Sequence, residues 1–128
     1  AGAHVVYGVV GFKTHCKMAL VVRRESGRLR RYVHLGTGNY HPGTARLYTD
    51  YSLLSADEVL AEDVHHVFLQ LTSLMQTPPH RRLYQAPFNL HQRILEHIDQ
   101  EIRNAEAGGA GHVIAKLNAL VEPEVIQA

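Results

Sequence analysis

Apolar residues follow two different periods along this chain, and the change of period separates predicted strands from predicted helices. Four short segments predict extended strands: 4–10, 17–23, 29–35 and 45–54. Glu25-Ser26-Gly27 separates the second segment from the third and predicts a hairpin turn. The second segment is apolar on both faces from Met18 to Val22, so we expect it to be an inner strand covered by helices.

A helix is predicted after these segments. Ser55-Ala56-Asp57-Glu58 has the form of a capping box, with Ser55 as the N-cap and acidic residues in the first turn. The helix is expected to run to about Met75 and to end at Thr77-Pro78-Pro79, because proline cannot continue a helix. Its apolar stripe keeps the spacing of a helix packed on a sheet and comprises Leu60, Val64, Val67, Phe68, Leu71, Leu74 and Met75.

The last third of the chain predicts a second helix, a strand and the start of a third helix. The second helix is expected over residues 89–105, with Ile94, Leu95, Ile98 and Ile102 on one face. A glycine-rich stretch at residues 108–111 ends it. Residues 112–120 have strand character, and residues 122–128 begin a helix. Because one strand followed by one helix has no sheet of its own, we place a domain boundary at residues 108–111.

Composition limits the size of the core and the class of protein. The chain has 128 residues, of which 45% are hydrophobic and 20% charged, enough for one domain or one domain with a fragment of another. No apolar run reaches the roughly 18 residues that cross a bilayer, and no stretch of these residues has the basic, apolar and small-residue succession of a secretion signal. Cys16 is the single cysteine, which excludes an internal disulfide. The expected location is the cytoplasm, with peripheral attachment to a membrane as the alternative.

Charge is distributed unevenly. Residues 1–49 carry eight lysines and arginines against one acid, whereas residues 50–128 carry five against eleven. The field of the first part would attract a polyanion. Five arginines bracket the predicted hairpin, and they form either a solvated turn or a track for a phosphate chain: Arg23, Arg24, Arg28, Arg30 and Arg31.

The basic part also contains a pattern that indicates chemistry on phosphate. His15 and Lys17 are two residues apart, and a strand would place both on one face. The predicted hairpin returns His34 to the vicinity of His15. Gly36-Thr37-Gly38-Asn39 follows as a tight turn whose N–H groups can approach an anion. A His-x-Lys triplet alone occurs by chance in many strands. Chemistry on phosphate is indicated by the order of three features, namely the triplet, the glycine turn and residues 44–50 directly after it.

Two other kinds of site are disfavoured. Ten histidines suggest a metal site, but Cys16 has no partner cysteine and His65 and His66, being adjacent, point apart on a helix. The sequence also lacks the His-Glu-x-x-His metal motif, the G-x-G-x-x-G fingerprint and a Walker loop. A structural zinc site is therefore not expected, and a nucleotide would be held in some other way.

The segments FKTHCKMALVVRR, YVHLGTGNYHPGTARLYTDYSLLSAD and KLNALVEPEVI closely resemble bacterial polyphosphate kinases, which transfer the terminal phosphate of ATP to inorganic polyphosphate. The resemblance covers nearly the whole chain and is densest over residues 9–57. It implies an α/β fold, a partial phospholipase D-like sandwich in which helices pack on a mixed sheet. Residues 1–76 would be the latter part of a first such domain, residues 77–108 a linker and helix, and residues 109–128 the opening of a second domain.

The same resemblance implies roles for individual residues. His15 would be the autophosphorylated nucleophile and Tyr48 a contact to ATP. Mg²⁺ would bind together with the ATP, and its protein ligands are not identified. Neutral imidazole needs no additional base, and Lys17 would offset charge on the transferred group. His34 is the competing nucleophile but has no lysine two residues on, and the role of Asp50 stays open. Further candidates for binding phosphate are Gly36, Thr37, Gly38, Asn39 and Arg46.

The expected partners are ATP, ADP and inorganic polyphosphate, without nucleic acid, in a full-length enzyme that is several times longer and forms a homo-oligomer. The isolated piece is expected to be inactive. Two other functions are open: a phosphodiesterase of phospholipase D type and a non-catalytic module that binds polyanions. The phosphodiesterase is disfavoured, because the wider group carries an aspartate after the lysine and four intervening residues, and Val22 stands at that position.

Overall fold

The computed structural model describes residues 2–73 and 75–128. Its elements are β1 (Lys17–Glu25), β2 (Arg28–Gly36), α1 (Pro42–Ala45), β3 (Ser52–Ser55), α2 (Glu58–Ser73), α3 (Leu90–Glu106) and α4 (Pro123–Gln127). Contacts divide the chain into two compact units, the first ending at Leu83 and the second beginning at Tyr84. Among the described residues, no helix combines the length and the apolar character that a membrane span requires.

β1 and β2 form the predicted hairpin. They pair antiparallel from Lys17 opposite Gly36 to Glu25 opposite Arg28. The two loop residues, Ser26 and Gly27, both have positive φ, 49° and 80°. This is the type I′ geometry whose twist matches that of the flanking strands.

The sheet of the first unit has the order β1-β2-β3, with β3 antiparallel to β2. Every described pairing of these strands is antiparallel, so the expected mixed sheet is wrong for this part of the chain. The expectation that residues 17–23 form an inner strand is also wrong, because β2 is central and β1 lies at the edge. Val21 and Val22 on β1 are accordingly 51% and 49% exposed.

α2 covers one face of this sheet. Val33 of β2 and Ala61 and Val64 of α2 are buried together, and burying each valine contributes about 1.5–3 kcal/mol. The partly buried residues packed on them are Met18, Leu20, Leu35, Leu60, Phe68 and Leu83. The predicted helical stripe is therefore confirmed at Leu60, Val64, Val67 and Phe68. Leu74 lies outside the described residues, and Met75 lies beyond α2 and is exposed.

The start of α2 differs from the predicted capping box. Asp57 Oδ1 accepts the N–H of Leu60 at 2.8 Å, so Asp57 is the residue whose side chain caps the helix. Ser55 Oγ instead accepts the N–H of Asp57 at 3.1 Å and shapes the turn before the helix. Both residue types are favoured N-caps, and the sequence alone placed the cap two residues too early.

Asp63 of α2 is 1% exposed, and its carboxylate binds the segment that follows the two prolines. It accepts the backbone N–H groups of Arg81, Arg82 and Leu83 at 2.6 to 3.1 Å. Burial by itself raises the pKa of Asp63, but the three N–H donors together lower it by more than burial raises it. The pKa of Asp63 is therefore below the ordinary value of 3.8. The carboxylate is therefore ionised at neutral pH and fastens the end of the first unit to α2.

Two predicted strands are wrong. Residues 4–10 form no strand, and the neighbouring described contact is an isolated bridge between Val9 and Phe12. Residues 45–54 are extended only near their end: Ala45 belongs to α1, which begins at Pro42 after the N-cap His41, and β3 begins at Ser52. β-branched runs favour strands, but a strand forms only where a partner strand completes its hydrogen bonds.

The second unit contains the predicted second helix, α3, and the predicted terminal helix, α4. Gly108, at φ 84°, follows the C-cap residue Ala107 and ends α3 as expected. The predicted strand at residues 112–120 is wrong, because this stretch has no regular structure and its side chains, such as Ile114, are exposed. The division between phospholipase D-like domains at residues 108–111 stays a prediction, and the contact-based division lies earlier, at Leu83.

Candidate functional site

Strand register decides which side chains share the face of the sheet opposite α2, here called the outer face. Residues directly paired in an antiparallel ladder project to the same face. Since Leu20 and Val33 are paired and pack towards α2, the alternate residues lie on the outer face. This face carries Lys17, Val21, Arg23 and Glu25 from β1, and Arg28, Arg30, Tyr32 and His34 from β2. Four cations and an imidazole therefore share one surface.

Lys17 and His34 are neighbours on the outer face. Lys17 pairs with Gly36, and His34 lies two residues before Gly36 on the same strand, which makes the two side chains diagonal neighbours across the ladder. The imidazole lies against Gly36, because a Cβ built there would be 3.1 Å from His34 Cε1. His34 Nδ1 lies 2.6 Å from the hydroxyl of Tyr40. The structure thus groups Lys17, His34 and Tyr40.

His15 precedes this arrangement. Its side chain is exposed, and β1 begins two residues later, at Lys17. The predicted shared face of His15 and Lys17 depended on a strand through both residues, and the described strand includes only Lys17. The assignment of His15 as the nucleophile stays a prediction.

The glycine turn after β2 is held by the segment that leads into β3. Thr37 donates its hydroxyl to Asp50 Oδ1 at 2.9 Å and its N–H to the carbonyl oxygen of Tyr51 at 3.0 Å. Tyr51 returns its own N–H to Thr37 Oγ1 at 3.0 Å. Gly38 lies directly against the Asp50 carboxylate. Asp50, whose role the sequence left open, is therefore the carboxylate at the turn.

A carboxylate beside the turn changes what the turn can bind. A phosphate there would be repelled by Asp50 unless a cation lay between them. Among residues 2–73 and 75–128, no three His, Cys, Asp or Glu side chains come together as a metal site. Mg²⁺ commonly binds through one or two carboxylates together with substrate phosphates. Asp50 at the turn fits that mode, in which the nucleotide supplies the other oxygens.

We expect Gly38→Ala to destabilise the turn. The added Cβ would overlap the Asp50 carboxylate, which would have to move away and lose its hydrogen bond from Thr37, at a cost of about 0.5–1.5 kcal/mol. The free energy of unfolding of the 128-residue chain, measured in urea, should fall by that amount. The control is the same Gly38→Ala change made in the Asp50→Ala background. There it should lower the free energy of unfolding much less, because the carboxylate that the new Cβ would meet is gone. Equal costs in both backgrounds would contradict the packing.

The remaining predicted site residues lie between the turn and β3. His41 caps α1, with its Nδ1 accepting the N–H of Thr44 at 3.2 Å, and Arg46 is the C-cap residue. Tyr48 follows and is 54% exposed, and Asn39 lies exposed before the helix. The segment between the glycine turn and β3 is therefore held at both ends, near its start by His41 and near its end by the hydrogen bond between Thr37 and Asp50. The assigned contacts of Arg46 to phosphate and of Tyr48 to ATP stay predictions.

Glu25 organises the tip of the hairpin. The Tyr32 hydroxyl donates to both of its carboxylate oxygens, at 3.0 and 2.9 Å, and this hydrogen bond, with a smaller effect of burial, raises the pKa of Tyr32. Arg23 and Arg30 lie 3.5 and 4.0 Å from the same carboxylate. In the part of the chain that the structure describes, Arg24 and Arg28 have no acidic partner. These two arginines are the ones most available to a polyanion.

Two interactions of this unit were absent from the sequence-based interpretation. The contact of His34 with Tyr40 joins residues six positions apart, a spacing that neither a strand nor a helix marks as a pair. Asp63 had one signal, an acid directly before Val64 in an otherwise apolar stripe. Burial of such an acid requires donors from elsewhere in the chain, and those donors lie 18 to 20 residues away.

Comparison with known proteins gives consistent matches. Residues 1–77 match the family model "Polyphosphate kinase C-terminal domain 1" and residues 83–128 the model "Polyphosphate kinase C-terminal domain 2". A polyphosphate kinase from Burkholderia ambifaria is 63% identical over 99% of this chain and 19% of its own length. One from Neisseria meningitidis is 53% identical over 100% of this chain and 19% of its own length.

A solved structure extends the likeness to the fold. The crystal structure of polyphosphate kinase from Porphyromonas gingivalis superposes with a TM-score of 0.69 at 32% sequence identity. The match covers 80% of this chain and 17% of that one. This chain therefore spans about a fifth of the length of the relatives that it matches.

Proposed function

Because this chain belongs to the polyphosphate kinase family, in the region described by the family's two C-terminal domain models, we propose that it forms part of an enzyme that transfers the terminal phosphate of ATP reversibly to inorganic polyphosphate. The proposal concerns the full-length enzyme, and the segment alone is expected to be inactive. The phospholipase D-like arrangement of its domains belongs to the proposal as well. Its main support in the structure is the placement of Lys17 and His34 on one face, beside the glycine turn.

The proposed reaction proceeds through a phosphohistidine at His15. The imidazole nitrogen of His15 attacks the terminal phosphorus of ATP, an N–P bond forms, the P–O bond to the leaving group breaks, and ADP departs. In the second step a terminal oxygen of polyphosphate attacks the same phosphorus and the N–P bond breaks. A neutral imidazole has a free lone pair, so no further base is required. The exposed position of His15 fits access by both substrates.

Phosphoryl transfer depends mainly on positioning and on offsetting the charge of the equatorial oxygens. Lys17 is half-buried at the start of β1, where it can offer a fixed positive charge close to His15. The N–H of Gly38 is a candidate donor to the same group, whereas the N–H of Thr37 already donates to the carbonyl oxygen of Tyr51. Mg²⁺, when bound with the nucleotide, would neutralise phosphate charge, and Asp50 is the residue that would hold it.

The hairpin suits the polymer because polyphosphate presents repeated anions. Arg28 on the outer face and Arg24 on the opposite face lie at its tip without acidic partners among the described residues, so a chain of phosphates would have to pass around the tip to bind both guanidinium groups. Tyr48 lies in a different place, between α1 and β3. Its ring can stack on a base and its hydroxyl can donate a hydrogen bond. The two substrates are therefore assigned to two sides of the site.

This division makes a kinetic prediction for a full-length polyphosphate kinase that contains this segment. Tyr48→Ala should raise the KM for ATP more than the KM for polyphosphate, whereas Arg24→Glu combined with Arg28→Glu should do the opposite, and more strongly at low salt. Steady-state kinetics with each substrate varied provide the measurement. Arg93→Glu combined with Arg103→Glu, two exposed arginines of α3 paired with Glu96 and Asp99, is the matched charge control. Equal effects of both changes on both substrates would refute the division.

A further inference from the structure

His34 is held at two points on the outer face. Its Nδ1 lies 2.6 Å from the Tyr40 hydroxyl. On another side the ring packs against Gly36, where a Cβ would be 3.1 Å from His34 Cε1 and 3.7 Å from Nε2. A ring restrained in this way has a defined orientation, and the partner at Nδ1 decides which nitrogen carries the proton.

The chemistry of the two groups sets the direction of this hydrogen bond. A phenol hydroxyl is a good donor and a modest acceptor, whereas the unprotonated nitrogen of a neutral imidazole is a good acceptor. On these grounds Tyr40 is the expected donor, with its O–H directed to His34 Nδ1. The single proton of the neutral ring is then on Nε2, so this nitrogen has no lone pair with which to attack phosphorus, but it can donate a hydrogen bond.

We infer that Tyr40 is a positioning residue that fixes His34 in the Nε2-protonated tautomer, so that His34 donates a hydrogen bond to a phosphate oxygen instead of acting as the nucleophile. This inference rests on the proposed phosphoryl transfer. Lys17, the diagonal neighbour of His34 on the outer face, supplies a positive charge to the same region. A neutral donor beside a cation suits an anionic group, and on this inference the nucleophile is His15 and not His34.

Amide side chains distinguish a donor from a nucleophile at position 34. The amide nitrogen of glutamine extends about as far from the backbone as Nε2, and that of asparagine about as far as Nδ1. In a full-length polyphosphate kinase that contains this segment, His34→Gln should keep a measurable rate of phosphohistidine formation from ATP. In His34→Asn and His34→Ala the rate of phosphohistidine formation should fall about 100- to 1,000-fold, as it does when an oxyanion donor is removed.

Tyr40→Phe tests the positioning role. It should slow phosphohistidine formation about tenfold, as for other residues that orient a catalytic histidine, and should change the KM for ATP less than about twofold. In the His34→Gln background it should have no further effect, because the amide has no tautomer to fix. Tyr84→Phe is the matched control, since Tyr84 makes a comparable contact to His97 Nε2 at 3.2 Å in the second unit.

The possible outcomes separate this inference from the proposed function. Absence of any phosphohistidine in the unaltered enzyme would refute the proposed function itself. If that enzyme is labelled on His15 but His34→Gln is as slow as His34→Ala, the donor role is wrong. The positioning role is wrong if Tyr40→Phe matches Tyr84→Phe, or if it slows the His34→Gln variant by the same factor as the unaltered enzyme. Retained labelling in His34→Gln together with coupling to Tyr40 supports the inference.

Discussion

His15→Ala is expected to abolish ATP-dependent phosphorylation of a full-length polyphosphate kinase that contains this segment. The reason is chemical: without the imidazole no nitrogen at this position can accept the phosphoryl group. The unaltered enzyme, incubated with labelled ATP and Mg²⁺, should carry label that is labile in acid and stable in base. His4→Ala, another exposed histidine of the same terminal stretch, should keep the label.

Other results would redirect the assignment. Label that persists in His15→Ala and disappears in every variant of His34, including glutamine, would make His34 the nucleophile. A complete lack of incorporation, combined with salt-dependent binding of polyphosphate that His15→Ala leaves unchanged, would favour a non-catalytic polyanion-binding module. The basic hairpin provides for such binding whatever His15 does.

The second large effect concerns stability. Asp63→Asn should lower the free energy of unfolding of the 128-residue chain by about 2 kcal/mol at pH 7, because a buried ionised acceptor of three backbone N–H groups becomes neutral. Urea denaturation provides the measurement. Glu62→Gln is the matched control, since Glu62 is a more exposed neighbour paired with Arg81, and such pairs contribute at most about 1 kcal/mol.

The same variant has a defined pH dependence. The pKa of Asp63 is lowered in the folded state, so its contribution is fully present above the ordinary value of 3.8 and is lost as the pH falls through the lowered value. The difference in stability between the unaltered chain and Asp63→Asn should therefore shrink as the solution is acidified below about pH 4. A difference that stays constant across this range, or that is absent at pH 7, would contradict the role of the carboxylate.

Local chemistry explains which elements of the fold were predictable. Ser26 and Gly27 form the hairpin turn because the two-residue loop selects its own geometry. α2 and α3 follow from their apolar periodicity, and Gly108 ends α3 where expected. The strands expected at residues 4–10 and 112–120 do not form, because a strand depends on a partner that the local sequence does not specify.

The candidate site residues were chosen from the sequence and their roles stay predictions, whereas their contacts could not be predicted from the sequence. The glycine turn lies directly after β2, as the sequence predicted, but the pairing of Lys17 with its first residue, Gly36, was not predicted. The positions of Asp50 and Tyr40 depend on how the chain returns to the sheet after the turn, which periodicity does not encode. The start of β1 at Lys17, which leaves His15 outside the strand, depends likewise on where pairing with β2 ends.

The edge position of β1 also bears on how this chain behaves in solution. An edge strand presents unpaired backbone groups on which another chain can add a strand, and charged side chains discourage such addition. Val21 and Val22 are half exposed on β1, and Arg23 and Arg24 follow them directly. By this principle Arg23 and Arg24 would oppose self-association. A polyanion that neutralised them would remove this protection, so we expect the 128-residue chain to aggregate more readily when the polymer is present.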